Sequence, residues 1–280
     1  MQNEDDNISY CRDMVRTGDS DRYLLSLFSP QPKQRELWAL YAFNLELAKI
    51  RELVSEPMLG EIRLQWWLEV LDEISEGTVR EQPVIQELAL LWQYPQTPVL
   101  LKALLNSRQA DFQDNGVTSF DELSTYASGV GGTLYEAAAL VQCGQLSEDA
   151  KKVAHYLGAS WAMLGLVRAL PYYWQKGKGP VTGEMSAGML SPKAGDAFQL
   201  LSPTIHKMMD YVEIYKEKAL FLRPKLNSKE KKLLLKSTLI NIYQKSLTEV
   251  ANNPFETIKT EPSDLKKLSR LTWANISGRY

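Results

Sequence analysis

The sequence is poor in the residue types that build disulfides and histidine-based metal sites. Among its 280 residues there are only two cysteines, Cys11 and Cys143, and two histidines, His155 and His206. Two cysteines cannot form the disulfide framework of a small secreted domain, and they favour a reducing compartment. Two histidines exclude a metal centre that depends on several imidazole ligands.

The sequence also has no long apolar run and no excess of one charge. No stretch of about 18 consecutive apolar residues occurs, so a transmembrane helix is not expected. The opening MQNEDDNISY has neither the basic and apolar regions of a secretory signal nor the Arg-rich character of a mitochondrial presequence. The net charge of −2 gives no reason to expect a nucleic-acid partner. We therefore expect a cytoplasmic protein.

Helical periodicity extends over nearly the whole chain. Apolar residues recur at i, i+3, i+4 and i+7, and no useful stretch alternates with period two. Breakers such as Glu76-Gly77 and Cys143-Gly144 separate the segments. The pattern predicts one all-α domain over residues 1–280, built of long helices around a central cavity, in which residues 1–20 form a loosely attached helix and 177–192 a loop. Helices are predicted over 3–17, 20–28, 32–54, 57–76, 81–93, 97–113, 119–141, 147–175, 193–222, 228–251 and 263–273.

One face of the predicted helix 32–54 is apolar until its last turn. The spacing of four, four, three and four places on this face Leu37, Tyr41, Leu45, Ala48 and Glu52. Lys49 and Arg51 lie beside Glu52. The pattern is typical of a core-facing stripe that ends in a solvated tip.

The segment HYLGASWAMLGLVRALPYYW, residues 155–174, carries small residues on one helix face. They are Gly158, Ala162, Gly165 and Ala169. Such a stripe lets another helix approach closely or leaves room for a ligand. Arg168 lies beside the stripe in apolar surroundings and needs a partner or an anionic ligand. Pro171 is expected to kink or end this helix.

Glycines are concentrated in LSTYASGVGGTLYEAAALVQ, residues 123–142. Gly129, Gly131 and Gly132 each cost a helix about 1 kcal/mol relative to alanine. A bend, a close helix crossing or room for a bound chain would offset that cost. Glu136 follows, and its carboxylate is a candidate partner for Arg168 in a buried ion pair.

Three acidic clusters and a tryptophan pair are less specific. The clusters fit solvated helix faces better than metal sites. They comprise Glu69, Asp72, Glu73 and Glu76; Asp111 and Asp114; and Glu213 and Glu217. Trp66 and Trp67 project about 100° apart on a helix, so one is expected to face the core.

Four segments together resemble the squalene/phytoene synthase family. YAFNLELAKIRE, LQWWLEVL, STYASGVGGTLY and LGASWAMLGLVRALPYYW occur in the order and spacing of that family, and the resemblance runs from about Asp21 to the C-terminus. It implies an isoprenoid synthase-like fold. Active members join two prenyl diphosphates head to head, with Mg²⁺ held by acidic motifs on two opposing helices.

The resemblance also implies that most of those acids are absent. At the first motif the family's Arg falls on Leu45, its paired acids on Ala48 and Lys49, and its last acid on Glu52. At the second motif the Arg is kept as Arg168. The two Asp positions hold Ala169 and Tyr173, and the family's Gln and Asn fall on Ala162 and Gly165.

A lysine in such a site would oppose metal binding. At about 4 Å and an effective dielectric of about 20, its ammonium group repels Mg²⁺ by several kcal/mol. One remaining carboxylate cannot hold several Mg²⁺ ions, which require hard oxygen ligands. No metal residues are therefore assigned, and no catalytic residue is assigned in either degenerate motif.

Three functions follow from the resemblance. The first is a pseudoenzyme that binds an isoprenoid or lipid, or helps to assemble a respiratory complex, because the departures resemble the branch known from mitochondria as a complex I assembly factor. Since no presequence is seen, the chain looks bacterial and the mitochondrial role carries over only as an analogy. A membrane protein complex and a peripheral contact with the inner membrane are the implied partners.

The second function is a Mg²⁺-dependent prenyltransferase acting on farnesyl or geranylgeranyl diphosphate. It requires substitute carboxylates from a set that includes Glu46, Glu52, Glu56 and Glu136. In the third, an anionic lipid binds without metal, because Lys49, Arg51 and Arg168 hold its phosphate directly.

The ligand site is predicted where helices 32–54, 123–141 and 155–175 line one cavity, with Lys49 and Arg168 at its polar end. Its residues are predicted to be Tyr41, Leu45, Lys49, Glu52, Gly129, Gly132, Glu136, Gly165, Arg168 and Tyr172. No cofactor is expected, other than Mg²⁺ if the second function is correct.

Overall fold

The computed structural model describes residues 2–54, 56–113, 117–176, 194–259 and 261–280. Every regular element among these residues is helical, which confirms the all-α prediction. The chain divides into two compact units, Met1–Asp114 with Thr133–Ser147 (unit 1) and Asn115–Gly132 with Glu148–Tyr280 (unit 2). The single domain and its central cavity stay predictions. The predicted loop 177–192 lies outside the described residues.

Twelve α-helices are found in the described part of the chain, and their bounds follow the predicted ones closely. They are α1 (Gln2–Gly18), α2 (Ser20–Ser26), α3 (Gln31–Leu53), α4 (Pro57–Ser75), α5 (Pro83–Ala89), α6 (Thr97–Arg108), α7 (Phe120–Ala127), α8 (Thr133–Cys143), α9 (Glu148–Gln175), α10 (Ala194–Phe221), α11 (Leu235–Thr248) and α12 (Asp264–Ser277). A π-helical turn, Ser128–Gly132, divides the predicted helix 119–141 into α7 and α8. Short 3₁₀ turns extend α5 and α6 and precede α11.

Proline and glycine set the ends of several helices, as the sequence predicts. Proline occupies the first or second position of α3, α4, α5 and α6, where its missing N–H has no helical partner to lose. Gly77 follows α4 with φ +91°, and Gly144 follows α8 with φ +79°. Only glycine adopts this left-handed conformation at little cost, so both helices end there.

The N-terminal helix is part of the core of unit 1. Cys11 and Val15 of α1 are buried, and α1 packs against both α3 and α5. The prediction that residues 1–20 form a loosely attached helix is therefore wrong, because α1 buries an apolar face that its polar opening residues do not suggest. Arg35 of α3 donates two parallel hydrogen bonds, of 2.6 and 2.9 Å, to the buried carboxylate of Glu87 in α5. These bonds connect α3 to α5.

The two cysteines are free and buried. Burial, followed by the charge of the nearby Glu87 carboxylate, raises the pKa of the Cys11 thiol to about 12. Because the thiolate is the reactive form, Cys11 is a packing residue at neutral pH.

The tryptophan pair of α4 divides as expected. Trp67 is buried and meets the ring of Phe43 edge-on, with the ring centroids 5.0 Å apart. Trp66 is exposed, and the guanidinium of Arg80 lies 5.0 Å from the centroid of its ring. The prediction that one of the two rings faces the core is confirmed.

A buried lysine joins α10 to α11 in unit 2. The Nζ atom of Lys216 donates hydrogen bonds to Glu213 at 2.7 Å, Asn241 at 2.9 Å and Gln244 at 2.8 Å, which satisfies its three N–H donors. Burial alone would raise the pKa of the Glu213 carboxyl, but hydrogen bonds from Lys216 and Gln244 hold that pKa below its usual range. The network lets unit 2 bury an ammonium group without leaving it unpaired.

The π-helical turn crosses α9 at very short range. A Cβ atom on Gly131 would lie 2.3 Å from the carbonyl oxygen of Gly158 and 2.4 Å from the Cβ of Ala162. A Cβ atom on Gly132 would lie 2.7 Å from the ring of His155. The glycines therefore provide a bend and a close crossing, and the space beside Gly132 holds an imidazole ring.

The small-residue stripe of α9 has two different halves. Gly158 and Ala162 take part in the close crossing, whereas no atom of the described residues lies within 4 Å of the place where Gly165 would carry a Cβ. The helix continues past Pro171 and ends one turn later at Gln175, which agrees with the predicted bounds 147–175. A kink at Pro171 stays a prediction. Pro171 still lacks the N–H that would donate to the carbonyl of Val167.

The close crossing predicts opposite effects on stability for two glycine-to-alanine substitutions, one at Gly131 in the π-helical turn and one at Gly165 in α9. Gly131→Ala should destabilise the protein by about 1–3 kcal/mol, because backbone atoms must separate to admit the methyl group. Gly165→Ala, the matched control, should leave stability unchanged or raise it by up to about 1 kcal/mol through helix propensity. Urea unfolding followed by circular dichroism measures both, and equal effects would contradict the assigned crossing.

Candidate functional site

The segment of α3 that resembles the first motif runs from the core of unit 1 to solvent. Tyr41 is buried, the guanidinium of Arg22 lies 5.8 Å from its ring centroid, and burial raises the pKa of its hydroxyl above the usual range. Leu45 packs near the end of α1, since a Cβ on Gly18 would lie 3.0 Å from its Cδ1. Ala48 is half-buried, so the apolar face continues one turn beyond Leu45.

The charged residues of this segment lie at its exposed end. Lys49 and Glu52 are both exposed, and Glu46 is half-buried. This distribution matches the predicted stripe that ends in a solvated tip. Lys49 is therefore accessible to an anionic group from solvent without any rearrangement of the core.

Arg51 belongs to a buried ion-pair cluster instead. Its Nη1 lies 3.6 Å from Oδ1 of Asp111, and Nη1 of Arg108 lies 3.4 Å from Oδ2 of the same carboxylate. Nη2 of Arg108 also donates to the side-chain oxygen of Asn44 at 3.4 Å. The side chain of Asp111 is only 4% exposed, so the prediction of a solvated acidic face is wrong at this residue. Asp114 lies outside the described residues.

The segment of α9 that resembles the second motif presents a cation to an aromatic ring in unit 2. The Cζ atom of Arg168 lies 3.7 Å from the ring centroid of Tyr243 on α11. Nη2 of Arg168 is 3.3 Å from Oε1 of Glu261, a side chain that is 62% exposed. An ion pair with so exposed a carboxylate is weak and easily exchanged. A pair between Arg168 and Glu136 of α8, which is half-buried, stays a prediction.

Two further lysines lie around the same aromatic side chains. Nζ of the buried Lys267 on α12 is 5.8 Å from the ring centroid of Tyr243, 3.4 Å from its hydroxyl and 2.6 Å from Oδ1 of Asp264. Trp161 meets Tyr243 edge-on at 5.7 Å, and Nζ of the buried Lys236 is 5.2 Å from the Trp161 ring. We call Arg168, Lys236, Lys267, Trp161 and Tyr243 the cation–aromatic cluster.

The neighbours of Arg168 on α9 give the cluster small and aromatic surroundings. Ala169 is half-buried, and no described atom lies within 4 Å of the place where Gly165, one turn before Arg168, would carry a Cβ. Tyr173 is half-buried and meets the exposed Tyr172 edge-on at 5.5 Å. This part of α9 thus has a methyl group and an aromatic ring at the two positions where the sequence resemblance places carboxylates, and it keeps the arginine beside them.

The glycine-rich segment contributes a polar contact that the sequence did not suggest. Gly129 is half-buried within the π-helical turn, whereas Gly132 is buried. Oγ of Ser128 lies 2.7 Å from Nε2 of His155 across the crossing with α9. π-Helical turns are frequent at functional sites. Here Ser128 and Gly132 of the turn contact the imidazole ring of His155.

The acidic cluster of α4 behaves as a solvated face. Within α4, Glu73 pairs with Arg80 and Asp72 with Lys102, and the hydrogen bond from Arg80 holds the pKa of Glu73 below its usual range. Among the described residues, no group of three or more His, Cys, Asp or Glu side chains could hold a metal ion.

Sequence reasoning missed the burial of Lys236 and Lys267 in the cation–aromatic cluster and of Asp111 in the ion-pair cluster of unit 1. Lys267 shares the spacing of Leu271 and Ala274, which marks it as a member of the buried face of α12. Lys236 follows a run of three leucines. Both signals are visible in the sequence, but a charged residue on an apolar face is usually assigned to solvent.

The chain belongs to the squalene/phytoene synthase family. A model of the family described as squalene/phytoene synthase matches residues 15–272, which is most of the chain. The structure superposes on a dehydrosqualene synthase crystallised in complex with ligand, with a TM-score of 0.77, 17% identity and coverage of 99% of this chain and 98% of that one. The isoprenoid synthase-like fold is thereby confirmed.

Two relatives represent the two branches of the family that the sequence resembles. Complex I assembly factor 6 of Rattus norvegicus is 31% identical over 169 residues, which cover 60% of this chain and 50% of the rat protein. Phytoene synthase of Arthrospira platensis is 26% identical over 132 residues, 46% of this chain and 42% of that protein. The chain thus spans about half the length of the rat protein and less of the phytoene synthase.

The buried carboxylate of unit 1 is expected to be essential for stability. Asp111→Ala leaves two guanidinium groups facing each other without their shared anion, and should cost at least about 2 kcal/mol. The loss should fall below the 3–5 kcal/mol typical of a fully buried pair, because Arg51 is partly exposed. Asp72→Ala, which breaks an exposed pair in the same unit, should cost less than about 1 kcal/mol.

Urea unfolding of the two aspartate variants tests this difference. A cost of Asp111→Ala that is no larger than that of Asp72→Ala would contradict the role of Asp111 as the buried anion of the cluster.

Proposed function

We propose that this protein is a non-catalytic member of the squalene/phytoene synthase family that binds the anionic end of an isoprenoid or lipid without Mg²⁺. The observation that carries the proposal is the cation–aromatic cluster, in which Arg168 stacks on Tyr243 with Lys267 beside the same ring. In this proposal the cations of the cluster receive the anion directly, a task that carboxylates and metal ions share in an active member of the family.

The donor set of both motif segments does not suit Mg²⁺. This ion prefers oxygen ligands in octahedral geometry and usually binds through one or two carboxylates. The α3 segment offers the exposed Glu52 next to Lys49, and the α9 segment offers Ala169 and Tyr173 next to Arg168. No step of a metal-dependent reaction is therefore derived for these residues.

The same residues suit an anion directly. A guanidinium group forms charge-assisted, bidentate hydrogen bonds with phosphate, and a stacked guanidinium is already oriented for them. One of the partners of Arg168, the carboxylate of Glu261, is 62% exposed, and an ion pair that is exposed to this degree contributes little to stability. No atom of the described residues lies within 4 Å of a Cβ placed on Gly165, and we propose that the first part of an apolar chain lies there on the same helix.

The similarity to complex I assembly factor 6 supports a role beside a respiratory membrane complex. In that role the protein holds an isoprenoid or lipid while it assists the complex, and it needs no turnover. We propose a cytoplasmic location next to the inner membrane for this task. A prenyltransferase with substitute carboxylates is the competing function, supported by the similarity to phytoene synthase.

The first experiment measures turnover. The purified protein is incubated with radiolabelled farnesyl or geranylgeranyl diphosphate, with and without Mg²⁺, and coupled product and released pyrophosphate are quantified. We expect neither, because the positions of the two motifs retain a single carboxylate, Glu52, to bind the metal that pulls the diphosphate away. An active family member in the same buffer is the positive control, and Mg²⁺-dependent product would establish the competing function.

The second experiment measures binding of inorganic pyrophosphate and of farnesyl diphosphate by calorimetry in the presence of EDTA. Arg168→Gln should weaken binding about 10–100-fold, the worth of a charged hydrogen bond of about 1.5–3 kcal/mol. Arg168→Lys should recover part of the affinity, since it restores the charge but not the planar stacking.

Arg80→Gln is the matched control for the binding experiment, because Arg80 also pairs with a glutamate and stacks on an aromatic ring. It should bind both probes like the unmodified protein. Failure of the folded, unmodified protein to bind either probe, or binding that needs Mg²⁺, would contradict the metal-free anion site.

A further inference from the structure

The C-terminal helix α12 carries apolar side chains on two faces. Its inner face packs on α11 through the buried Leu271 and Ala274. The exposed fractions of its other apolar side chains are large: Leu265 77%, Leu268 36%, Trp273 61% and Ile276 76%. None of these four residues belongs to the buried face with which α12 packs in unit 2.

The four exposed residues form one surface. At 100° per residue they fall within a sector of about 140° of the helix circumference, whereas the inner face lies on the opposite side. Ser263 caps the helix, accepting a hydrogen bond from the backbone N–H of Lys266 at 3.3 Å. The surface is therefore held on a firmly packed, capped helix.

The end of α10 extends this surface. Nη2 of Arg223 donates a hydrogen bond of 2.7 Å to the carbonyl oxygen of Gly278, and its guanidinium lies 5.6 Å from the ring centroid of Tyr280. These contacts hold the end of α10 beside the end of α12. Phe221, two residues before Arg223, is 80% exposed.

Positive charge is concentrated in the same part of the chain. Residues 222–280 contain twelve Lys and Arg against five Asp and Glu, which gives +7, so the net charge of −2 leaves −9 for residues 1–221. Around the apolar surface the exposed basic side chains are Arg223, Lys266, Arg270 and Arg279. An anionic surface attracts residues 222–280, whose net charge is +7, and repels residues 1–221, whose net charge is −9.

We propose that Leu265, Leu268, Trp273, Ile276 and Phe221, with the surrounding basic side chains, bind the surface of an anionic lipid bilayer. Apolar and Trp side chains enter the boundary between headgroups and acyl chains while Lys and Arg contact anionic headgroups. Among the described residues no helix is long and apolar enough to span a membrane, and this surface provides a peripheral attachment. It deepens the proposed membrane location by naming the residues, and it does not depend on the anion site.

Charge distinguishes a bilayer from a second copy of the chain as the occupant. A second exposed apolar face in the described part of the chain lies on α4, at Met58, Leu59, Ile62 and Trp66. Both signs of charge surround that face, Glu61 and Glu69 with Arg63 and Arg80, so it lacks the excess of positive charge found around α12. It is an apolar face that a second copy of the chain offers to α12, which makes it the control for the proposal.

The test is co-sedimentation of the full chain with phosphatidylcholine vesicles that do or do not contain phosphatidylglycerol. The protein should bind the anionic vesicles, and binding should weaken as salt shortens the Debye length from about 10 Å at 0.1 M to about 3 Å at 1 M. Trp273→Ser combined with Ile276→Ser should lower partitioning at least about tenfold. The matched pair Met58→Ser with Ile62→Ser in α4 should leave it unchanged.

A spectroscopic measurement locates the surface independently. Brominated lipids should quench part of the tryptophan fluorescence of the bound protein. Trp273→Phe should retain vesicle binding and abolish most of that quenching, since Trp273 is the only tryptophan of α12. Unchanged quenching in this variant would show that another part of the chain contacts the lipid.

Three results would overturn the proposal. The first is equal binding to neutral and anionic vesicles, and the second is an equal loss of vesicle binding in the α12 and α4 variants. The third is a protein that does not bind vesicles and is an oligomer in sedimentation velocity, while its α12 variant is a monomer. The last result would assign the surface to self-association. Binding of pyrophosphate is measured separately, so failure of the membrane surface and failure of the anion site are distinguishable.

Discussion

The contact of the π-helical turn with α9 is the constraint on which the functional part of unit 2 depends. Gly131 brings its backbone against the carbonyl of Gly158 and the methyl of Ala162, closer than any side chain would allow. This approach explains why glycines, which a helix would otherwise avoid, are concentrated in the turn. It uses the first half of the small-residue stripe for packing. In the second half Arg168 follows Gly165, where a Cβ would meet no atom of the described residues within 4 Å.

The chemistry at that second half follows from charge. A carboxylate site and an ammonium or guanidinium site can both receive a diphosphate, but the first needs a metal bridge and the second does not. In the cation–aromatic cluster the rings of Tyr243 and Trp161 hold cations against their faces, which orients them with little loss of side-chain freedom. Strong release of a leaving group needs the concentrated charge of a metal. Stable binding does not, and this difference supports retention of a ligand over its conversion.

The sequence predicts the helices well because periodicity and breakers are local properties. Gly77 and Gly144 end their helices where expected, and the exposed Trp66 beside the buried Trp67 follows from the rotation between adjacent residues. Asp111 was out of reach because nothing local separates a carboxylate that two arginines bury from one that water surrounds. Lys267 was missed for the related reason that its partners, Tyr243 and Asp264, stabilise a charge on an otherwise apolar face. In each case partners distant in sequence determine whether the charged side chain is buried, and a sequence pattern does not show these partners.

The helix α12 connects the two proposed activities within unit 2. Lys267 projects from its inner face towards Tyr243, and the adjacent Leu268 belongs to its outer, apolar face. A bilayer that holds the outer face therefore holds the same helix that supplies a cation to the cation–aromatic cluster. The ligand expected from the chemistry of that cluster, an anionic group on an apolar chain, resides in membranes because its chain is insoluble in water. A protein that collects such a ligand gains from having one cation of its anion site, Lys267, on the helix that contacts the lipid, because binding to the membrane then brings the anion site close to the ligand.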